Sequence, residues 1–161
     1  MKYLIQKKNI KEKIILLKIQ TKNLTKSQIN KICKIKIQKW RFSFKSQKNY
    51  FLNNYNSNDI HHLVLINRKI IGYNCLKFIK YFNKMIIIFD SLIIDKHYRK
   101  KGISKIILES SVKQIFKKKL ECYLYCEKIL QKYYEKYGWK RVNKKKLNLL
   151  NKTKLILMKF K

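Results

Sequence analysis

Residues 92–108 read LIIDKHYRKKGISKIIL, and the architecture of the molecule turns on how this stretch divides. Its first three residues close the apolar run KMIIIFDSLII (84–94), whose length and β-branched content predict a strand. From Gly102 onward, Ile103, Ile106, Ile107, Ile115 and Phe116 recur at helical spacing, with small Ser110 and Ser111 between them. The join is a short basic turn ending on Gly102, one of only three glycines in 161 residues. A glycine where a turn becomes a helix lets an incoming group approach the backbone with no side chain in the way. The first N–H groups of a helix have no intrahelical partner and sit at the positive end of its dipole. A phosphate is the natural occupant of such a place.

Working outward, KIILLKIQ (13–20) predicts a first strand, and LTKSQINKICKIKIQKW (24–40) a helix capped by Thr25. The apolar positions of that helix are Ile29, Ile32, Cys33, Ile37 and Trp40. The stretch 42–59 fits a short second helix followed by an Asn/Ser/Asp-rich loop. HHLVLI (61–66), the turn NRK and IIGYNCLKFIKYF (70–82) form a hairpin, with His61 and His62 read as a strand entry. Downstream, LECYLYC (120–126) is a strand, 127–138 a helix ending at Gly138, WKRV (139–142) a strand and KLILMKF (154–160) a last one. This order predicts a mixed α/β protein, a single domain over 1–161.

The formal net charge is +33, but only four of the 41 basic residues are arginine (Arg41, Arg68, Arg99, Arg141). Arginine is the better ligand for phosphate and guanine, and the lysines are strewn along the whole chain rather than gathered on one segment. Alanine and proline are absent while Lys, Ile and Asn abound, a bias that AT-rich codons explain without any partner. The expectation is salt-dependent, non-specific attraction to nucleic acid and other polyanions. No apolar run approaches the ~18 residues that a membrane span needs, and the N-terminal apolar stretch is too short for a secretory signal. A cytoplasmic, membrane-free protein is expected. Cys33, Cys75, Cys122 and Cys126 have neither metal-ligand spacing nor a companion histidine cluster. Cys122 and Cys126 share one strand, about 13 Å apart, too far for a disulfide. Free thiols and no metal are the expectation.

The segment Arg99-Lys100-Lys101-Gly102-Ile103-Ser104 resembles the coenzyme A-binding fingerprint Gln/Arg-x-x-Gly-x-Gly/Ala of the GNAT superfamily of N-acetyltransferases, with Ser104 departing at the last position. KYYEKYGWKRV (132–142) resembles that superfamily's FYEKLGF element, with Tyr134 and Gly138 in register. KIIGYNCL resembles its hairpin strand, with Gly72 in place, so all three glycines fall on family landmarks. The resemblance is best over residues 60–142. It implies the GNAT fold, a mostly antiparallel sheet of six or seven strands flanked by helices, and acetyl-CoA as co-substrate. It further implies that Arg99, Lys100, Lys101, Gly102, Ile103, Ser104 and Lys105 cradle the pyrophosphate, while the backbone of Leu92, Ile93 and Ile94 aligns the pantetheine arm.

Acetyl transfer to an amine requires a neutral amine, a polarised thioester carbonyl and a proton for the departing sulfur. The resemblance assigns the last task to Tyr134, a phenol suited to such a leaving group. Among eight acidic residues, Asp90 lies where several relatives place a base, amid Ile86, Ile87, Ile88, Phe89, Leu92 and Ile93. Asp95 opens the turn instead. Cys122 stands where peptide-acetylating relatives carry glutamate, and Glu127 where the family often has asparagine. The expected reaction is direct transfer to a primary amine, on a small molecule, by a monomer or homodimer. Acetylation of a protein lysine or N-terminus is the neighbouring alternative, and an inactive GNAT-fold module that binds polyanions the more distant one.

Overall fold

The computed structural model describes residues 2–7, 10–143 and 155–161. In chain order the elements are β1 (Lys2–Lys7), β2 (Ile10–Gln20), α1 (Lys26–Ile37), α2 (Phe44–Asn54), β3 (Ile60–Ile66), β4 (Lys69–Tyr81), β5 (Lys84–Ile94), α3 (Ile103–Lys118), β6 (Cys122–Cys126), α4 (Gln131–Glu135), β7 (Trp139–Arg141) and β8 (Ile156–Phe160). The mixed α/β reading holds. Among the described residues the sheet has eight strands in the order β1-β2-β3-β4-β5-β6-β8-β7, and the strand the sequence reading lacked is β1, a hairpin partner of β2. The segment predicted as one helix over 127–138 is a 3-10 turn at Lys128–Leu130 followed by the five residues of α4. Of the strand predicted over 154–160, Lys154 lies outside the described residues and Ile156–Phe160 pairs as a strand between β6 and β7.

Local chemistry explains the helix starts. The Thr25 hydroxyl accepts the Gln28 N–H at 3.2 Å while the Gln28 side chain accepts the Thr25 N–H at 2.9 Å, a reciprocal capping box. Ser43 accepts the Ser46 N–H at 3.1 Å and starts α2 in the stretch whose reading was open. Helices α1 and α2 cover one face of the sheet, where Ile32, Cys33, Ile35 and Phe51 meet Leu63, Tyr73, Cys75 and Ile93. Helix α3 covers the other, packing Ile103, Ile106 and Ile107 on Leu16, Val64, Ile66 and Ile71. Phe116, counted among its apolar positions, points outward at 63% exposure and meets only the Phe160 ring edge at 5.2 Å.

Gly72 has a packing reason. A Cβ there would stand 2.9 Å from Ile107 Cδ1 and 3.0 Å from Ile103 Cγ2, so α3 sits on the sheet only because β4 has no side chain at this point. That seat fixes where α3 begins.

His61 and His62 stand at the start of β3, the strand entry that was expected, and both are fully buried. The His61 ring lies 2.8 Å from the Thr21 hydroxyl and 3.0 Å from the Tyr73 hydroxyl, and His62 Nδ1 lies 2.9 Å from Asn74 Oδ1, which accepts from Ser111 at 3.2 Å. Burial holds both rings neutral, lowering them to about 3 and about 4. An unfolded imidazole protonates near 6.5, so below that pH the unfolded chain binds protons that the folded one refuses. Stability contributed by the neutral rings is complete above pH 6.5 and drains as pH falls toward 4. We expect a loss of about 3 kcal/mol between pH 7 and pH 5, read as a falling urea midpoint. A flat profile over that interval would mean that the rings are solvated.

Candidate active site

The site follows from one irregularity in β5. Asp90 pairs with Cys75 and Ile93 with Tyr73, so Ser91 and Leu92 face the single residue Asn74. Ser91 takes φ = 61°, a left-handed conformation uncommon for a residue with a side chain. This is a β-bulge, which bends the strand and leaves backbone outside the ladder. Strand β6 runs parallel to β5 but pairs with it only where Ile87 and Ile88 meet Cys122 and Tyr123. Beyond that point β6 stays with β8 from Tyr123 to Cys126, while β5 bends away. A cleft of about 480 Å³ opens between them, with Leu92, Ile93 and Ile94 on one wall and Leu124, Tyr125 and Cys126 on the other.

Arg99 and Ser104 also line this cleft, at its α3 side. Gly102 precedes α3 with φ = 72° and ψ = 14°, so the turn needs the conformation glycine adopts without strain. Among the described residues, the N–H groups of Gly102, Ile103, Ser104 and Lys105 donate to no loop or cap acceptor. Arg99 Nε donates to the Ile94 carbonyl at 3.2 Å, tying the strand end to the turn. The side chains of Lys100 and Lys101 are exposed, and Lys105 pairs with Glu109 at 3.7 Å on the surface. Ile103 is buried in the α3–sheet core.

Tyr134 is buried on α4 between Phe89 and Trp139, with ring centroids 6.1 and 6.4 Å away, and lines the same cleft. Its hydroxyl makes no hydrogen bond among the described residues. Burial pushes the phenol well above its ordinary value, with Cys126 and Tyr133 adding to the effect. Tyr133 lines the cleft beside it, its hydroxyl buried.

A second cavity, about 520 Å³, lies under α1 and α2 and is walled by Lys36, Trp40, Gln47 and Tyr50. Asp90, Ser91 and Trp40 belong to both cavities. Asp90 is half-buried, and its neighbours in space differ from its apolar neighbours in sequence. The Tyr55 hydroxyl donates to Asp90 Oδ2 at 2.8 Å, and Lys36 Nζ donates to that hydroxyl at 3.0 Å. Lys36 is only 4% exposed; burial lowers its ammonium, an effect Asp90 partly offsets. Lys36, Tyr55 and Gln47 were absent from the sequence reading. Asp95 caps the turn after β5, accepting the His97 N–H at 3.0 Å. Glu127 pairs with Lys39 at 2.8 Å across one end of the cleft, both half exposed, a contact that contributes little to stability. The four cysteines are free and buried. Among the described residues no three His, Cys, Asp or Glu side chains converge as a metal group would require.

The profile of an acetyltransferase (GNAT) domain matches residues 58–141, from β3 through β7 and thus both walls of the cleft. The chain belongs to the GNAT acetyltransferase family. Membership carries acyl transfer with it. Solved structures with this GNAT fold include ElaA of Escherichia coli, 13% identical with a TM-score of 0.72 over 92% of this chain and 99% of that one. An acyl-CoA N-acyltransferase from Pseudomonas aeruginosa is 13% identical, with a TM-score of 0.73 over 92% and 99%. The paia N-acetyltransferase of Thermoplasma acidophilum, solved in complex with coenzyme A, is 18% identical with a TM-score of 0.62 over 91% and 98%. No curated protein matches the sequence. Among the described residues no helix of this GNAT protein is long and apolar enough to cross a membrane.

Proposed function

We propose that the protein transfers the acetyl group of acetyl-CoA directly to the primary amine of a small molecule, within a ternary complex. The observation that carries this reading is that two cavities, the cleft between β5 and β6 and the one under α1 and α2, meet at Asp90 and Ser91. One cleft then takes the thioester and the other the amine, with no acyl-enzyme between them. The unengaged amides of Gly102–Lys105 suit a pyrophosphate, and the strand edge at Leu92, Ile93 and Ile94 suits a pantetheine arm. Backbone N–H groups freed by the bulge would polarise the thioester carbonyl.

In this mechanism Asp90 accepts a proton from the acceptor ammonium. The neutral nitrogen attacks the thioester carbon, an N–C bond forms, the C–S bond breaks, and the proton that the acylated nitrogen loses passes to the departing sulfur, so that the coenzyme leaves as a thiol. Tyr134 keeps its proton, because burial raises the phenol far above an ordinary thiol near 8.5; its contribution is a hydrogen bond to the sulfur. The acceptor cavity's size is that of a small-molecule site.

Asp90→Asn tests the base directly. Thiol release from acetyl-CoA with a primary amine is expected to fall roughly a hundredfold at pH 7, general-base catalysis typically contributing 10²–10⁴. The deficit should close as pH rises toward the pKa of the amine, which then deprotonates without help. A deficit constant in pH would remove Asp90 from the proton path.

A further inference from the structure

Two features of the second cavity are left unused by acetyl transfer itself. Lys36 is a nearly fully buried cation with no carboxylate within ion-pair distance among the described residues. It makes one hydrogen bond, to Tyr55, and otherwise faces the rings of Trp40, Tyr50 and Tyr55, with centroids 5.0–5.6 Å away. A buried charge without a direct counterion is costly, and an anion brought by a ligand would offset that cost. Gln47 is 5% exposed, lies on the cavity wall, and its carboxamide makes no hydrogen bond among the described residues. Its oxygen and nitrogen are not sealed from solvent, so they stay within reach of a ligand in the cavity.

Lys36 and Asp90 are separated by a single hydroxyl, that of Tyr55, at 3.0 Å from the amine and 2.8 Å from the carboxylate. Opposite charges thus stand side by side on the wall that the acceptor must touch. At the cavity's rim, Phe42 and Tyr50 are 61% and 44% exposed, and Trp40 continues the apolar surface inward.

We propose that the acceptor is a free α-amino acid with an aromatic side chain, its ammonium at Asp90, its carboxylate at Lys36 and Gln47, and its ring against Trp40, Phe42 and Tyr50. The inference rests on the acetyl-transfer reading and narrows it. The head group of an α-amino acid carries an ammonium and a carboxylate on one carbon, the mirror of the Asp90–Lys36 pair. A polyamine would bring a second cation to a cavity that already holds Lys36. A protein lysine or N-terminus has no carboxylate beside its amine.

The test compares phenylalanine with phenethylamine, which lacks only the carboxylate, by calorimetric titration of the coenzyme A-loaded protein. Phenylalanine is expected to bind at least tenfold more tightly. Lys36→Met, which keeps the length of the side chain, should erase that preference while leaving coenzyme A affinity unchanged. Gln47→Leu should reduce it severalfold, and together with the wild-type comparison it decides the matter if Lys36→Met does not fold. Equal or tighter binding of phenethylamine to the wild type, no binding of either compound, or an equal loss of both in Lys36→Met would overturn the proposal. Thiol release separates the two levels. If coenzyme A binds and amines are acetylated regardless of a carboxylate, this proposal alone falls; if coenzyme A does not bind, acetyl transfer falls.

Discussion

Gly102→Glu is expected to abolish coenzyme A binding while the circular dichroism spectrum stays that of the wild type. Gly102 sits at φ = 72°, so any side chain there costs about 1–2 kcal/mol of backbone strain, a fraction of the stability of an ordinary domain. The larger effect is electrostatic. A glutamate carboxylate at this point lies beside the unengaged amides at the start of α3, competes for them within the chain, and repels a pyrophosphate. We expect a loss of at least a thousandfold in affinity by calorimetry. The measurement belongs at physiological salt, because a chain of net charge +33 attracts any polyanion when screening is weak. Gly102→Ala, which brings the strain without the charge, should cost only severalfold. Affinity retained within tenfold in Gly102→Glu would move the phosphate site away from this helix.

The three glycines were the most legible part of the sequence, because each answers a steric demand that no other residue meets. Gly72 admits α3, Gly102 turns the chain into that helix, and Gly138 at φ = 88° ends the turn after α4 with the Phe160 ring only 3.1 Å from where a Cβ would be. Periodicity gave β5 its bounds, Lys84–Ile94, and drew the helices on either side. What it could not show is how the bulge at Ser91 joins two cavities, since a bulge depends on register between strands distant in sequence. The buried polar residues beside the second cavity were missed for a different reason. Ile29, Ile32, Cys33, Ile37 and Trp40 describe the buried stripe of α1, and Lys36 occupies a place in that stripe, four residues after Ile32 and four before Trp40. A lysine on an inward stripe was the available signal of a buried cation. Tyr55 gave none, because it lies just past α2 in what reads as an Asn/Ser-rich loop. His61 and His62 were legible as the start of a strand but not as buried, because burial depends on both faces of the sheet being covered, and each ring finds its partners on a different face.

Tyr134→Phe is expected to lower kcat by roughly a hundredfold and to leave coenzyme A affinity within twofold, the scale of losing one hydrogen-bond donor to charge that develops in the transition state. Removing one hydroxyl keeps the ring between Phe89 and Trp139, so the core on which α4 rests is undisturbed. The fold should even gain slightly, since the hydroxyl makes no hydrogen bond among the described residues. A merely structural tyrosine would show the reverse pattern, a shift in stability with turnover intact. The pH profile reports whether the hydroxyl stays protonated, since either proton donation or hydrogen bonding would be lost in a descending limb near the phenol's own pKa. A phenol raised by burial keeps its proton through the range in which enzymes are assayed, so the wild-type profile should rise with deprotonation of the amine and then stay level. Thioesters with more acidic thiols need less help at sulfur. The Tyr134→Phe deficit should therefore shrink as the leaving thiol's pKa falls, and a deficit indifferent to the leaving group would place the hydroxyl's work elsewhere than at the departing sulfur.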